Sequence, residues 1–250
     1  MKAEISRQLL DINERFYADC AASFSATRQR IQPGIARAVS DFFTGRGGIA
    51  LSNRQHLLDL GCGNGNLARW LIARGYRGQY TGVDQSAALL QQVEPLDDHY
   101  SFLTADLSQP DWLAELPTQP FDLVTAFAVL HHLPGEGMRI RLMREVKRLL
   151  APDGTFLHSV WQFNSSPRLV KRIQPWQAIG LAITDVDEGD ALLDWRAEPE
   201  GDRPALRYVH AFNEAELQKL AEKSGFRVTD SWLSDGKEGC LGLYQVWSRA

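Results

Sequence analysis

The stretch Leu57-Leu58-Asp59-Leu60-Gly61-Cys62-Gly63-Asn64-Gly65 decides the fold, because a short apolar run passes directly into closely spaced glycines. The run from His56 to Leu60 is bounded by glycine and is typical of a buried strand. Glycine lets the backbone turn sharply and approach a ligand where a Cβ atom would collide. We predict a helix from Asn66 to Arg74 after the turn. The stretch therefore predicts a strand, a ligand-binding glycine turn and a helix.

The same alternation of strand and helix continues along the chain. Further strands are predicted at Gln79–Val83, Tyr100–Leu103, Phe121–Val129 and Gly154–Trp161, and helices at Ala87–Val93, Asp111–Leu116 and Gly137–Leu150. Strands that alternate with helices form a parallel sheet with helices on both faces. This part of the chain is therefore expected to be an open α/β sheet.

The C-terminal part predicts a last helix and a hairpin. The helix runs from Asn213 to Ser224, with Asn213 as N-cap, Glu216 at the capping-box position and Gly225 at its end. Two strands follow, at Phe226–Trp232 and Cys240–Trp247. We therefore predict an α/β, Rossmann-like, doubly wound fold, with a mostly parallel seven-stranded sheet and an antiparallel C-terminal hairpin.

Composition and charge exclude several classes of protein. The 250 residues are 44% hydrophobic, enough for a core without disulfides, and the 3 cysteines have no metal-binding or disulfide spacing. Lys2, Glu4 and Arg7 interrupt any signal peptide, and no apolar run is long enough for a membrane span. We expect a soluble cytoplasmic protein with no membrane partner. The net charge of −4 leaves nucleic-acid binding to a local basic face.

Two acids follow neighbouring strands of the predicted sheet. Asp84 ends the second strand, where doubly wound nucleotide-binding folds place an acid for the ribose hydroxyls. Asp106 follows the third strand, where a side chain can bond an adenine amino group. Each acid alone could be an exposed loop residue or an N-cap. Their order at successive strand ends favours a shared nucleotide site.

From Leu57 to Trp161 the sequence resembles the class I S-adenosylmethionine-dependent methyltransferases. Dinucleotide oxidoreductases share the fold but use G-x-G-x-x-G, whereas Gly61, Gly63 and Gly65 alternate here after an Asp. The resemblance implies S-adenosylmethionine as cofactor. The residues it implies at the cofactor are Asp59, Gly61, Cys62, Gly63, Gly65, Asp84, Gln85, Asp106, Leu107 and Phe127.

The segment from Phe121 to Leu133 resembles the fourth-strand motif of the same superfamily. It lacks Asn/Asp-Pro-Pro-Tyr, which disfavours methylation of adenine or glutamine amino groups, and it lacks Pro-Cys, which disfavours covalent attack on cytosine. His131 and His132 are adjacent and have no third ligand, so no metal site is predicted. His132 is one candidate catalytic residue.

The termini resemble the tRNA wobble-uridine carboxymethyl methyltransferases. The matching segments are Phe16-Tyr17-x-x-x-Ala21-x-x-Phe24-Ser25-x-Thr27-Arg28 and Arg207-Tyr208-Val209-His210-Ala211-Phe212-Asn213-Glu214-x-Glu216-Leu217. The resemblance implies Arg28 as a clamp for the acceptor carboxylate, Tyr208 and His210 near the base, and a small activator subunit as partner. Phe16, Tyr17 and Phe24 could equally be a helix face packed on the sheet.

The charge pattern leaves the methyl acceptor open. Asp185 to Asp202 contains eight acids and one base, a poor surface for phosphates. Basic residues cluster elsewhere, at Arg28, Arg30, Arg168, Lys171 and Arg172, with Trp161 and Trp176 nearby. Three hypotheses remain: a tRNA-modifying methyltransferase, a small-molecule O- or N-methyltransferase, and a non-catalytic protein that keeps the cofactor fold.

We expect residues 1–250 to form one methyltransferase domain with four regions. These are a helical N-terminal cap at 1–50, divided by Pro33 and Gly34, a cofactor-binding core at 51–162, a substrate-facing insertion at 163–209, and a C-terminal helix and hairpin at 210–250. The insertion has no clean periodicity and is expected to be partly helical.

Overall fold

The computed structural model describes residues 1–26, 30–44, 55–94, 96–195 and 205–250. Its strands are β1 His56–Leu60, β2 Gln79–Asp84, β3 Tyr100–Thr104, β4 Phe121–Phe127, β5 Leu150–Trp161, β6 Ile173–Gln174, β7 Asp190–Trp195, β8 Ala205–His210, β9 Phe226–Ser234 and β10 Gly242–Arg249. Its α-helices are α1 Ala3–Ala26, α2 Pro33–Thr44, α3 Asn66–Ile72, α4 Ala87–Leu90, α5 Glu136–Leu149, α6 Pro167–Val170 and α7 Glu214–Ser224.

The central sheet has seven strands in the order β3-β2-β1-β4-β5-β10-β9. The pairs among β1 to β5 are parallel, and β10 runs antiparallel to both β5 and β9. The predicted fold class is therefore confirmed. All five parallel strands place their carboxyl ends at one edge, where open α/β sheets bind ligands.

Helices cover both faces of this sheet because its strands are buried on both sides. Leu58 and Leu60 of β1 pack in one apolar cluster with side chains of α5 and α7, whereas Leu57 packs in another with side chains of α2 and α3. Successive side chains of a strand point to opposite faces. This explains why β1 is apolar at nearly every position rather than at alternate ones.

The insertion is partly helical, as predicted, through α6 and three 3-10 helices in its described part, but it also contains strands that the sequence analysis did not predict. It forms a second, antiparallel sheet in the order β6-β7-β8, and among the described residues from 163 to 209 the four-residue α6 is its α-helix. One face of this sheet packs on α1, where Leu192 and Tyr208 join Leu9, and the other packs near Phe163 of the segment after β5. Since both faces are covered, the strands do not show the alternation that would have predicted them.

A second difference is the predicted helix at Asp111–Leu116, which consists of hydrogen-bonded turns. Pro110 and Pro117 flank it. Pro117 disfavours the α conformation at the residue before it, Leu116, so a helix cannot continue to the end of the segment. The indole of Trp112 is nevertheless buried and donates a hydrogen bond to Glu145 Oε2 at 2.8 Å.

None of the described helices is both long enough and apolar enough to cross a membrane.

Candidate active site

A cavity of about 540 Å³ lies at the carboxyl ends of the parallel strands. Its walls come from the loops after β1 to β4, from β5, from α1 and α2, and from the insertion. Nine of the ten residues that the sequence predicts at the cofactor line this cavity. The exception is Gly65. Gly65 lies at the N-cap of α3, directly behind the turn.

The glycine turn is held against the end of the neighbouring strand. The amides of Gly61 and Cys62 both donate to the carbonyl oxygen of Val83, at 2.7 and 3.1 Å. Gly61, Gly63 and Gly65 all have positive φ angles, of 69°, 56° and 72°. Other residues adopt this region only with strain.

The glycines of the turn have different reasons to be glycine. A Cβ atom on Gly61 would lie 2.5 Å from Cγ2 of Val129, so Gly61 is required for packing. A Cβ atom on Gly63 would meet no protein atom within 4 Å, because Gly63 borders the cavity. The backbone at Gly63 therefore forms a cradle that a side chain would fill, as a closely bound ligand requires.

Asp84 fastens this turn at the end of β2. Its Oδ2 accepts from the Gly63 amide at 2.9 Å, and its Oδ1 accepts from the Ser86 amide at 2.8 Å. Burial raises the pKa of Asp84, and the two hydrogen bonds oppose that rise. Asp84 and the neighbouring, exposed Gln85 border the cavity. Each carboxylate oxygen has a further lone pair with which it can accept from a ribose hydroxyl.

Asp59 also borders the cavity, but both its oxygens are bonded by hydroxyls of the protein. Thr125 donates to Oδ1 and Tyr80 to Oδ2, each at 2.6 Å. Burial raises the pKa of Asp59 to about 6, with the two hydrogen bonds opposing the shift. Asp59 therefore ties β1 to both of its neighbouring strands.

The remaining predicted cofactor residues lie around the same end of the cavity. Asp106 follows β3 and accepts from the amide and the hydroxyl of Ser108, at 2.8 and 2.7 Å. Leu107 is buried beside it. Phe127 ends β4, with its ring 6.1 Å from that of Tyr244. Three acids thus border the β1-β2-β3 side, which suits a ligand that carries hydroxyls, amino groups and positive charge.

The opposite side of the cavity is lined by cations and aromatic rings. Its described arginines include Arg168, Arg172 and Arg207, which belong to the insertion. Arg207 on β8 is buried, and its guanidinium lies 4.4 Å from the centre of the Trp161 ring. Asp194 and Asp235 are the acids on this side. The cavity is therefore bipolar, with carboxylates toward β1-β2-β3 and arginines toward the insertion.

His132 and Tyr17 meet at the wall between the two ends. His132 Nδ1 lies 3.2 Å from the carbonyl oxygen of Tyr208, which can only accept. In the neutral imidazole this places the proton on Nδ1 and leaves Nε2 to accept from the Tyr17 hydroxyl, 2.8 Å away. Both ring nitrogens are thus used, and His132 orients Tyr17 toward the cavity.

Residues 25–231 match a family model described as a methyltransferase domain. The match covers well over half of the chain. The chain belongs to this methyltransferase family. It is a class I enzyme, and S-adenosylmethionine is its methyl donor. The cradle at Gly63 and the acids of the β1-β2-β3 side fit that donor, and the non-catalytic alternative is set aside.

Three curated relatives are similar to this chain. A protein of Encephalitozoon cuniculi (strain GB-M1) named as a methyltransferase is 32% identical over 86% of this chain and 87% of its own. The tRNA (carboxymethyluridine(34)-5-O)-methyltransferase of Schizosaccharomyces pombe is 25% identical over 86% of this chain and 88% of its own. A trans-aconitate 2-methyltransferase of Acidovorax sp. (strain JS42) is 39% identical over 40% of this chain and 36% of its own.

Solved structures share the fold of this methyltransferase at low sequence identity. The 1,6-didemethyltoxoflavin-N1-methyltransferase of Burkholderia thailandensis has a TM-score of 0.64 at 18% identity, over 100% of this chain and 92% of its own. A complex between the Haloferax volcanii Trm112 methyltransferase activator and a methyltransferase gives a TM-score of 0.61 at 17% identity, over 94% and 96%.

Two of the predicted catalytic residues of the methyltransferase do not border the cavity. The side chains of Tyr208 and His210 point away from it, because alternate residues of β8 face opposite sides of the insertion sheet. Arg207 and its partner across the strands, Leu193, border the cavity instead. The roles expected of Tyr208 and His210 near the acceptor stay predictions, and in this structure both side chains lie outside this cavity.

Tyr208 and His210 belong to a buried charge network, which we call the Arg139 cluster: Arg139, Asp190, Tyr208, His210 and Glu216. Asp190 Oδ1 accepts from the Tyr208 hydroxyl and lies against His210 Nδ1, both at 2.7 Å. Glu216 Oε1 lies 2.8 Å from His210 Nε2 and 3.4 Å from Arg139 Nη1. The side chain of Glu216 serves this cluster, and only its amide is bonded by the N-cap Asn213. The cluster joins the insertion to α5 and α7.

Of the other predicted residues, Arg28 lies outside the described residues, so its role as a clamp stays a prediction. The described ranges contain no group of three or more His, Cys, Asp or Glu side chains suited to a metal ion.

Arg207 and Ala128 are among the wall residues of the methyltransferase that the sequence did not indicate as site residues. Arg207 begins the second segment that resembles the tRNA methyltransferases, but that segment does not show whether Arg207 or Tyr208 faces the cavity. Ala128 has a φ of 60°, unusual for a residue other than glycine, and its amide donates to the carbonyl oxygen of Ser159 at 3.0 Å. Strain of this kind is concentrated at functional sites. No sequence signal predicts it at an alanine.

We expect Asp84→Asn to weaken S-adenosylmethionine binding by about 1.5–3 kcal/mol, the cost of losing hydrogen bonds to a charged group. Calorimetric titration measures this as an increase in Kd of about 10- to 150-fold. Asp97→Asn is the matched control, because Asp97 accepts from the amide two residues ahead, as Asp84 does, but lies outside the cavity. An Asp84→Asn affinity within twofold of the wild type would remove Asp84 from the site.

The stability of the methyltransferase should depend on the charge of His210. Burial disfavours its imidazolium, but hydrogen bonds to Asp190 and Glu216 outweigh burial and raise the pKa of His210. A raised histidine pKa adds stability that is complete below the unfolded value of about 6.5 and is lost as pH rises through the folded value. We therefore expect the free energy of unfolding to fall with rising pH above about 6.5.

Urea unfolding over this pH range tests the expectation. His210→Gln should flatten the fall, because glutamine cannot become charged. His99→Gln, at an exposed position, should leave it unchanged. An equally steep fall in His210→Gln would show that another group is responsible.

Proposed function

We propose that this methyltransferase esterifies a carboxylate, and most specifically the carboxymethyl group of a tRNA wobble uridine. The observation that carries the proposal is the bipolar cavity, whose arginine-lined side offers an anion a position facing the donor side. Arginine binds carboxylates through a planar fork of N–H groups. A neutral acceptor amine or hydroxyl would have no need of Arg207, the buried arginine of this side.

The chemistry of a carboxylate acceptor matches the groups at hand. A carboxylate is ionised at neutral pH and needs no general base. Its oxygen forms a bond to the methyl carbon while the bond from that carbon to sulfur breaks, which leaves a methyl ester and a neutral thioether with no proton released. The protein then has to align the two reactants and exclude water. Both ring nitrogens of His132 are bonded to protein groups, which is compatible with a reaction that needs no general base.

The relatives support the same class of acceptor. The Schizosaccharomyces pombe relative is named for carboxymethyluridine in tRNA, and the Acidovorax relative for trans-aconitate, a small tricarboxylic acid. Both names denote acceptors with carboxyl groups. The resemblance of the two termini to the tRNA enzymes further supports carboxymethyluridine as the acceptor.

A basic surface at the mouth of the cavity favours the RNA over the small acid. Arg168 and Lys171 are exposed and Arg172 is half-buried, on α6 and directly after it. Ile173 next to them is 41% exposed, so apolar surface adjoins the cations. Such a mixture suits phosphates together with stacked bases. Of the acids between Asp185 and Asp202, Asp194 lies beside Arg172, where its amide donates to the Arg172 carbonyl oxygen at 3.1 Å, and its side chain is buried rather than exposed on this surface.

The test is methyl transfer from labelled S-adenosylmethionine to separate tRNA and small-metabolite fractions. We expect label in tRNA nucleosides that mild alkali removes, since alkali hydrolyses esters but not N- or C-methyl groups. An RNA stem-loop with a wobble 5-carboxymethyluridine should be labelled, and the same stem-loop with unmodified uridine should not. Alkali-stable label in RNA, or no label in RNA, would overturn the tRNA proposal.

The second candidate is a small carboxylic acid, favoured by the trans-aconitate relative. Alkali-labile label confined to the metabolite fraction would establish it. The expected activator subunit belongs to the same experiment, since a chain of similar fold occurs in a complex with Trm112. We expect addition of such an activator to increase labelling of tRNA.

A further inference from the structure

We propose that Arg207 binds the acceptor's carboxylate and makes the enzyme prefer a carboxylate to a neutral carboxamide. The inference rests on the proposed carboxylate acceptor and names the residue that recognises it. Arg207 is 5% exposed and borders the cavity from β8, the strand that joins the insertion to the core. Arg207 lies within the residues that the structure describes, whereas Arg28 does not.

Three aromatic rings surround the Arg207 guanidinium. The ring centre of Trp161 lies 4.4 Å from its central carbon, that of Phe16 lies 5.3 Å away and that of Trp195 lies 5.6 Å away. The rings come from the ends of β5 and β7 and from α1. A guanidinium held against rings keeps its N–H groups directed outward in its own plane. The cage thus fixes the fork before an acceptor arrives.

Burial makes this cation more selective than the arginines at the mouth. Charges exposed to water are screened, so Arg168 adds general attraction for anions with little discrimination. Arg207 is buried against three aromatic rings, and an ionic hydrogen bond in such surroundings is stronger than one in water. A carboxylate can accept two N–H groups of the fork at once, whereas a carboxamide has one acceptor oxygen and no charge.

An acidic side chain, Asp194, directly precedes Trp195 on the neighbouring strand β7. It is buried, borders the cavity, and its Oδ2 accepts from Gln174 Nε2 at 3.3 Å. A guanidinium has five N–H donors and can serve a protein carboxylate and an acceptor together. The competing explanation is that Arg207 only balances the charge of Asp194, and the experiment separates the two.

The experiment measures the binding of RNA to the enzyme saturated with S-adenosylhomocysteine. The two probes are RNA stem-loops that differ only in a wobble 5-carboxymethyluridine or 5-carbamoylmethyluridine. We expect the wild type to bind the carboxymethyl RNA about tenfold or more tightly, the effect of one hydrogen-bonded charge. In Arg207→Lys this preference should fall to about threefold or less, because lysine keeps the charge but loses the fork. S-adenosylhomocysteine affinity should stay within about twofold, since Arg207 lies on the acceptor side.

Arg74→Lys is the matched control, because Arg74 also stacks on a tryptophan, 3.8 Å from the Trp70 ring, but lies outside the cavity. It should keep the wild-type preference. Equal binding of both RNAs by the wild type would overturn the inference without any variant. Equal weakening of both RNAs in Arg207→Lys, with a lower Tm, would assign Arg207 to Asp194 and also overturn it.

A third arm distinguishes this inference from the proposed tRNA function. The same complex is titrated with trans-aconitate and with its neutral trimethyl ester. If neither RNA is bound or methylated but trans-aconitate binds in an Arg207-dependent way, the tRNA proposal fails and the carboxylate inference stands. If trans-aconitate and its ester bind equally while neither RNA is bound, both fail.

Discussion

Replacing Gly63 by valine should reduce the affinity for S-adenosylmethionine by more than about 100-fold while the protein stays folded. At Gly63 an added Cβ atom meets no protein atom within 4 Å, so the valine side chain enters the cavity rather than the core. The cradle at Gly63, where we expect the donor to bind, is then filled. Isothermal titration measures the loss of binding, and urea unfolding measures stability.

The matched control is Gly75→Val. Gly75 also has a positive φ, of 84°, and a Cβ atom there likewise meets nothing within 4 Å, but Gly75 does not border the cavity. Both variants should lose similar stability, about 1–3 kcal/mol, from the strained backbone. Only Gly63→Val should lose the donor. Normal binding by Gly63→Val, or equal loss in both variants, would show that the turn does not hold S-adenosylmethionine.

Removing Arg139 should have the largest effect on stability. Its side chain is 3% exposed and lies 3.8 Å from Asp190, which is fully buried, and 3.4 Å from Glu216. Arg139→Leu leaves these carboxylates without their arginine, and breaking a buried pair in this way costs about 3–5 kcal/mol. The expected result is a fall of that size in the free energy of unfolding, measured in urea.

Arg148→Leu on the same helix is the control, because Arg148 is exposed and its replacement should change stability by about 0.5 kcal/mol or less. The Arg139 cluster also predicts how Tyr208 and His210 act. If they maintain the insertion rather than touch the acceptor, Tyr208→Phe should lower stability more than it lowers turnover per folded molecule. A loss below about 1 kcal/mol in Arg139→Leu would mean that the cluster does not hold the insertion in place.

Much of the fold and of the carboxylate-lined side of the cavity could be predicted because their signals are local. A glycine turn between an apolar run and a helix needs only neighbouring residues, and a parallel sheet brings its strand ends to one edge whatever the loops contain. Gly63, Asp84 and Asp106 were therefore expected at one site before any tertiary contact was known, and the structure brings them to one cavity. The sequence shows which residues follow each strand, and therefore which side chains lie at this edge of the sheet.

The arginine-lined side of the cavity was decided by contacts between residues far apart in the chain. The cage of Arg207 combines Phe16, Trp161 and Trp195, which no sequence spacing relates. Tyr208 was expected near the acceptor, but a strand turns neighbouring side chains to opposite faces, so a motif that contains both residues cannot tell which faces the cavity.

The sequence by itself therefore determined the α/β class, the donor and the residues at the strand ends, because short-range pattern and parallel topology are sufficient for these. Only the tertiary structure decided that the insertion is a sheet covered on both faces, that Asp59 is bonded by Thr125 and Tyr80, and that Arg207 rather than Tyr208 faces the cavity. Strand register and the packing of α1 set those outcomes, and both depend on the summed burial of distant side chains rather than on any local pattern.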